Sequence, residues 1–234
     1  MPLESLNEAP GWFGKMSTLG DFARRRLPPE FVQLCDGWLS QVLIAGREQF
    51  GERWLQTYLT APLLRFAWAP GVADGHWWFG VLMPSCDNVG RYFPLLVAQR
   101  RARPPLDRLG FDHLEAWLDH LARATARTLV EGETTARFEQ ALAEAPPWPA
   151  ASAPAAVSIQ WWEAGEHHAF GPRGSIARWL HALAAQRLQE RLAGCSMWWC
   201  QEEGQAPSAV DVAGGLPDAR AFARRLSAPA VSAS

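Results

Sequence analysis

The sequence predicts an α/β protein of the α+β type, with a mainly antiparallel central sheet sandwiched by helices. Two apolar runs, 76–83 and 92–99, are rich in aromatic and β-branched residues and have strand length, with a polar, turn-forming insert between them. The first run is nearly continuous in Trp77, Trp78, Phe79, Val81 and Leu82, which places it centrally in a sheet covered on both faces. Long segments on either side repeat apolar residues at three and four, the spacing of one helix face.

Taken in order, 11–16 opens the fold as a short strand after a leader ending in Pro10. Arg24, Arg25 and Arg26 then stand before Leu27, Pro28 and Pro29, and proline suits the first turn of a helix. From Glu30 onward, Phe31, Leu34, Cys35, Trp38, Leu39, Val42 and Leu43 line one helical face that Gly46 or Gly51 ends. A shorter helix is expected over 52–59. Pro62 marks a change of period: 63–68 reads as a strand, 70–75 as its turn and 76–83 as the returning strand. With 92–99 these make an antiparallel meander of three. A polar break follows at 100–105. Asp112, with Glu115 three residues on, suits a helix cap, and Leu114, Trp117, Leu118 and Leu121 keep helical spacing toward Gly132. Another helix is expected over 135–144.

The Pro- and Ala-rich segment 146–156 is the best linker candidate. It divides the chain into an N-terminal unit, 1–145, and a smaller C-terminal unit, 157–226, packing on the first, with a disordered tail at 227–234. In the second unit, strands at 157–162 and 167–170 flank a turn, a helix covers 175–192, a strand covers 196–201 and a last helix covers 216–226. Strand pairs and helices thus recur on both sides of the linker. The recurrence fits either an internal repeat or one sheet extended by a second set of strands.

A chain of 234 residues that is 48% hydrophobic can bury a substantial core. Its net charge of -2 and pI near 6.3 argue against a general nucleic-acid or anionic-membrane binder. Lys15 is the only lysine among 22 basic residues, in a chain also rich in Ala, Pro and Gly. The N-terminus lacks the order of a signal peptide and no apolar run reaches the roughly 18 residues that span a bilayer. A soluble, cytoplasmic protein is expected. Cys35, Cys86, Cys195 and Cys200 fall at no metal-ligand spacing, so reduced thiols are expected, with no metal and no cofactor.

Several short motifs carry possible chemistry. Gly14-Lys15 fails as a phosphate loop, because Ala9 stands where glycine is needed and Met16 where Ser or Thr is needed. Asp74, Gly75 and His76 read as a hairpin turn. His167 and His168, neighbours on a strand, point to opposite faces and make a weak metal signal. Ser85, Cys86 and Asp87 are a nucleophile-like set at a strand end, but Met83 and Asp87 occupy the glycine positions of a nucleophile elbow. A hydroxyl or thiol nucleophile also needs a base within reach, and the sequence places none of His76, His113 or His181 there. The competing reading is structural: Ser85, Asp87, Asn88 and Gly90 form a structural loop in which Asp87 and Asn88 bond their own turn and Gly90 supplies a left-handed position. Arg91 then pairs with Asp87, or with Asp21 if the two loops adjoin. Arg24, Arg25 and Arg26 either meet an acidic or phosphorylated partner through charge-assisted bonds or form a solvated lead-in to the helix. Thirteen tryptophans mean mostly core, with any on the surface serving as interface anchors.

Three stretches considered together are specific: Gly11 through Phe22 with Arg24, Arg25 and Arg26; Ala61 and Pro62 through Trp68, Ala69, Pro70 and Gly71; and Gly80 through Leu95. In that order they resemble the TagF family of bacterial type VI secretion accessory proteins. Beyond the linker the resemblance rests on a Trp-Trp strand and the terminal Leu-Pro helix. It implies a cytoplasmic, post-translational repressor of the secretion apparatus that acts at least in part through the system's forkhead-associated scaffold protein, without needing the threonine kinase and phosphatase pair. Some members carry a fused phosphatase domain, whose metal carboxylates this chain lacks. The resemblance assigns no catalytic residue. Two functions are therefore weighed. One is a non-enzymatic binding module whose partner surface includes Asp21, Arg24, Arg25, Arg26 and Arg91. The alternative is a small hydrolase using Ser85 or Cys86 with Asp87 and a histidine.

Overall fold

The computed structural model describes residues 9–148, 157–162, 165–170, 176–201 and 209–227. The chain begins with β1 (Gly11–Gly14) and β2 (Ala23–Arg25), then α1 (Pro29–Phe50) and the short α2 (Trp54–Leu59). The meander β3 (Leu64–Trp68), β4 (Trp77–Met83) and β5 (Leu95–Arg101) follows, then α3 (Arg108–Arg127) and α4 (Thr135–Ala143). The remainder comprises β6 (Val157–Trp162), β7 (Gly165–Phe170), α5 (Ile176–Leu192), β8 (Cys195–Trp199), β9 (Asp211–Gly214) and α6 (Ala219–Ser227). Seven strands form one sheet in the order β2-β1-β5-β4-β3-β8-β9, every neighbouring pair antiparallel. The α+β class and the antiparallel sheet between helices hold.

Side-chain alternation explains why β4 tolerates no polar residue. Trp78 and Leu82 enter the core shared with α1 and α6, while Trp77, Phe79 and Val81 enter the core shared with α3 and α4. Both faces of the strand are dry, so both registers must be apolar. On the first face Phe31 of α1 stacks on Trp78 at 3.7 Å between ring centroids, and Phe222 of α6 packs on Trp198 at 4.8 Å. On the second face Trp117, Leu118 and Leu121 of α3 are at most 1% exposed. Every tryptophan whose side chain is described is buried or half-buried, the half-buried ones being Trp38, Trp54 and Trp199.

Beyond the proline-rich stretch, β8 pairs with β3 and β9 with β8. Of the two arrangements compatible with the sequence, the observed one is a single extended sheet, with β6 and β7 paired as a separate ribbon. Linker residues 149–156, leader residues 1–8 and tail residues 228–234 lie outside the described residues, and so do the side chains of His167 and His168 on β7.

Some boundaries differ from those expected. The arginine cluster does not lead into a helix; Arg24 and Arg25 sit on β2, which pairs with β1. β5 continues through Arg100 and Arg101, and Arg101 is buried with its guanidinium over the Trp148 ring at 4.7 Å. The strand starts at Leu95, and Tyr92 makes only a single bridge with Cys86. Asp107, not Asp112, caps α3, accepting from the Gly110 amide at 2.7 Å; Asp112 lies inside the helix, paired with Arg108 at 2.7 Å. Leu109 and Phe111 are exposed, so the first turn of α3 breaks the apolar period that would have revealed it. β9 is a short edge strand whose Val212 is exposed, so its few apolar residues mark no buried face.

Gly80 is one of the tightest points of the sheet. A Cβ there would lie 2.0 Å from the Val97 carbonyl oxygen and 2.8 Å from Phe66 Cζ. Gly80→Ala is therefore expected to cost about 1–3 kcal/mol through forced backbone and side-chain shifts. Urea unfolding measures it, and an unchanged midpoint contradicts the packing described.

Candidate functional site

The polar residues of the 84–94 loop converge on one carboxylate. Asp87 is 2% exposed, and its Oδ2 accepts from Lys15 Nζ and from Arg91 Nε, each at 2.7 Å. Its Oδ1 accepts from the amides of Val89 at 3.1 Å and Arg91 at 2.8 Å. Burial pushes this carboxyl up, but the bonds from Lys15, from the Arg91 amide and guanidinium and from the Val89 amide outweigh it and hold it well below the usual carboxylate range. Lys15, just past β1, is 4% exposed and lies 4.8 Å from the centre of the Phe22 ring. A buried ammonium needs such a counter-charge.

The same cluster joins two loops. Arg91 donates from Nη2 to the Gly20 carbonyl, and the Asn88 amide donates to the Leu19 carbonyl at 3.0 Å. Gly90 takes φ 81°, and its amide closes the turn on the Asp87 carbonyl at 3.1 Å. Ser85 is anchored from below by Tyr58, whose hydroxyl donates to the Ser85 carbonyl and accepts from the Ser85 amide, both at 2.9 Å. Burial pushes the Tyr58 phenol up, so it stays a neutral donor. Sequence reasoning missed both Tyr58 and the role of Lys15. A lone lysine in an arginine-rich chain was the available signal.

The arginines divide by role. Arg26 is committed to the fold: it donates to the carbonyls of Ala9 and Pro10 at 2.9–3.1 Å and pairs with Glu139 of α4 at 2.7 Å. Glu139 also accepts from the indole of the fully buried Trp12. Arg26 holds φ 56°, and among the described residues it is the only non-glycine with positive φ, a conformation that needs such bonds to persist. Its guanidinium is thereby held by the fold, although the residue is exposed. Arg24 has no polar side-chain partner among the described residues, and Arg25 reaches only the Arg24 carbonyl, at 2.9 Å, and the Trp12 ring, at 5.9 Å. Asp21 is exposed and accepts from the Phe22 amide at 2.8 Å; it does not pair with Arg91. Phe22 is 45% exposed although its ring packs on Phe93 at 4.7 Å. Val89, 67% exposed, and the outer part of Arg91 lie on the adjoining loop, while along β2 Arg24 pairs opposite Phe13 and Arg25 opposite Trp12, so the two arginines point to opposite faces at this sheet edge.

Among the described residues no acid-base partner accompanies Ser85 or Cys86. His76 lies 3.3 Å from Asp74 Oδ1 in the β3–β4 turn, His113 is exposed on α3, and His181 bonds the Leu106 carbonyl. None of the three bonds to Ser85 or Cys86, and the Ser85 hydroxyl oxygen is buried without a partner. Asp87, the acid of the alternative, is already held by two cations. The hydrolase reading therefore finds no support. All four cysteines are free thiols, and burial pushes the Cys35 thiol up, away from reactivity. Among the described residues no group of His, Cys, Asp and Glu has the arrangement of a metal site, and no helix is long and apolar enough to cross a membrane.

Residues 11–145 match the family model of the TagF N-terminal domain, described as type VI secretion system-associated. The match includes β1 to β5, α1 to α4 and the whole Lys15–Asp87–Arg91 cluster. The chain is also similar to the crystal structure of PA0076 from Pseudomonas aeruginosa PAO1, with 35% identity, a TM-score of 0.70, and coverage of 93% of this chain and 94% of that one. A search of curated proteins gives no match.

Because the folded-state acidity of Asp87 is shifted down, its contribution to stability is present above the ordinary carboxylate range and is lost as pH falls through and below about 4. Asp87→Asn is expected to be less stable at pH 7 and to show a shallower loss of stability from pH 5 to pH 2. Denaturant unfolding across that range is the measurement, and parallel pH profiles for the two proteins contradict the assignment.

Proposed function

The chain belongs to the TagF family of type VI secretion-associated proteins, and from that premise we propose that it is a non-enzymatic, post-translational repressor of the secretion apparatus. It works in the cytoplasm by binding the forkhead-associated scaffold protein of the system. The observation that supports the non-enzymatic part is the state of Asp87: its carboxylate is taken up by Lys15, Arg91 and two amides of its own loop, and among the described residues no histidine bonds to Ser85 or Cys86. The loop is architecture, and what it supports is surface.

The contact surface assigned to this binding is the sheet edge at β2 with the two loops beside it. Arg24 and Arg25 supply cations without strong internal partners, and Phe22 and Val89 supply apolar area that a partner can bury. Asp21 and the exposed side of Arg91 form its rim, where charge governs rate and specificity more than affinity. Arg26 and Lys15 serve the surface indirectly, by fixing the strands beneath it.

Arg24→Glu combined with Arg25→Glu, leaving Arg26 untouched, is expected to reduce capture of the scaffold protein by about tenfold or more. Stability should stay within about 0.5 kcal/mol of wild type, as for exposed substitutions. Co-purification from cells expressing the secretion cluster, read beside a melting curve, makes the test. Ser85→Ala and Cys86→Ala should leave repression of secretion intact. Wild-type capture by the double variant removes this surface from the proposal, and loss of repression by a folded Cys86→Ala protein overturns the non-enzymatic reading.

A further inference from the structure

At one margin of the sheet, β2 has a neighbour on one side only. Its register sets Arg25 opposite Trp12 and Arg24 opposite Phe13. The Arg25 carbonyl faces β1, its oxygen lying 2.8 Å from where a Cβ on Gly11 would stand. Main-chain groups of successive residues in an antiparallel pair point alternately toward and away from the neighbour, so the Arg24 amide and carbonyl face outward. That carbonyl accepts from the exposed Arg25 guanidinium at 2.9 Å, and among the described residues no strand pairs with it.

The side chains at this margin suit an added strand as well. Arg24 shares its face with Phe13 and Arg25 with Trp12, rings that belong to the two separate cores. Neither guanidinium bonds a carboxylate among the described residues. A single compact anion reaches only one of these faces, whereas an extended chain carries consecutive side chains to both. Phe22, 45% exposed and stacked on Phe13 at 6.0 Å between centroids, continues the Arg24 face. Asp21 follows, exposed. At the other end Arg26, with φ 56°, stops the extended run.

We infer that β2 takes up an acidic, extended peptide as a further strand, antiparallel like every pair already in the sheet. Two consecutive Asp or Glu residues face Arg25 and then Arg24, and an apolar residue two positions after the second acid lies on Phe22. Asp21 excludes a further acid beyond it. The Arg24 amide and carbonyl bond the main chain of the second acid, while the Arg25 guanidinium turns from that carbonyl to the carboxylate of the first. A second copy of this chain is not the occupant. Pairing two β2 edges sets arginine against arginine, and Asp211, the acid of the other edge strand, is already paired with Arg225. The inference rests on the reading of this edge as the scaffold contact and adds the chemistry of the segment held there.

Fluorescence anisotropy of the full chain with a labelled peptide tests it. The probe is a short threonine chain carrying two adjacent glutamates and, after one threonine, a valine. It is expected to bind at least about tenfold more tightly than an isomer whose glutamates are one threonine apart, both then lying on one face. The same difference is expected against a version N-methylated at the second glutamate, which cannot donate to the Arg24 carbonyl. Arg24→Glu and Arg25→Glu should each weaken the parent peptide by about tenfold or more, and the bound peptide should slow exchange of the Arg24 amide by about tenfold. No binding, equal affinity for the three peptides, or unslowed exchange at Arg24 overturns the inference. Scaffold capture that is lost in the double arginine variant without any such peptide preference leaves the edge as the contact and removes the added strand. Peptide binding as expected, beside unchanged scaffold capture by that variant, keeps the added strand and removes the scaffold from this edge.

Discussion

A single buried carboxylate organises one end of this molecule. Asp87 accepts from Lys15, Arg91 and two amides while its side chain has no accessible surface. Removing any one strong donor leaves buried charge without full compensation, which is far more damaging than the pair itself is stabilising. The two cations are not interchangeable. Lys15 brings a compact ammonium from beneath, close against the Phe22 ring, whereas Arg91 brings a planar fork from the solvent side that also reaches Gly20. Each fits its place by shape as well as charge. Through these bonds the end of β1, the 17–22 loop and the 84–94 loop become one unit, and β2 begins immediately beyond it.

The sheet beneath that unit is stiff for a different reason. Its aromatic residues contact one another across strands and helices: Trp68 lies 5.6 Å from Trp198, and Phe66 lies 4.7 Å from Trp68. Large rings of this kind combine much buried area with few rotatable bonds. The second face is less complete. There α3 and α4 cover β1, β5 and β4 closely, but the floor under β3 and β8 holds Arg65 and half-buried Met197 and Trp199. One protein therefore has a closed aromatic core on one side and, on the other, an apolar groove beside the buried Arg65.

Much of this was legible in the chain itself. The continuous run in β4 required two covered faces, and alternating cores provide them. α1 followed from its three-and-four spacing, and its end at Gly51, φ 53°, from glycine's access to that region. Elements with mixed faces were not legible. β2 carries two exposed arginines, and β9 is four residues long with Val212 exposed, so neither shows the alternation that marks a half-buried strand. The start of α3 was hidden because Leu109 and Phe111 face solvent. Long-range pairing was out of reach for the same physical reason in each case: Lys15 meets Asp87, Arg26 meets Glu139 and Arg65 meets Asp119 only because the sheet order brings them together. Local chemistry at 85–91 suggested a self-bonded turn, but nothing local revealed that a strand-end lysine completes it.

Membership of the TagF family, and among the described residues no histidine bonded to Ser85 or Cys86, fit the proposed account, in which a rigid sheet end holds a docking surface in shape. That account depends on the loop being as fixed as the strands it joins. Amide hydrogen exchange by NMR measures this at Asp87, Asn88 and Phe93, whose amides donate to Arg91, Leu19 and Ser85. Protection within about tenfold of that in β4 and β5 is predicted, since these amides should open only with the sheet. Exchange at the rate of an open loop would contradict it.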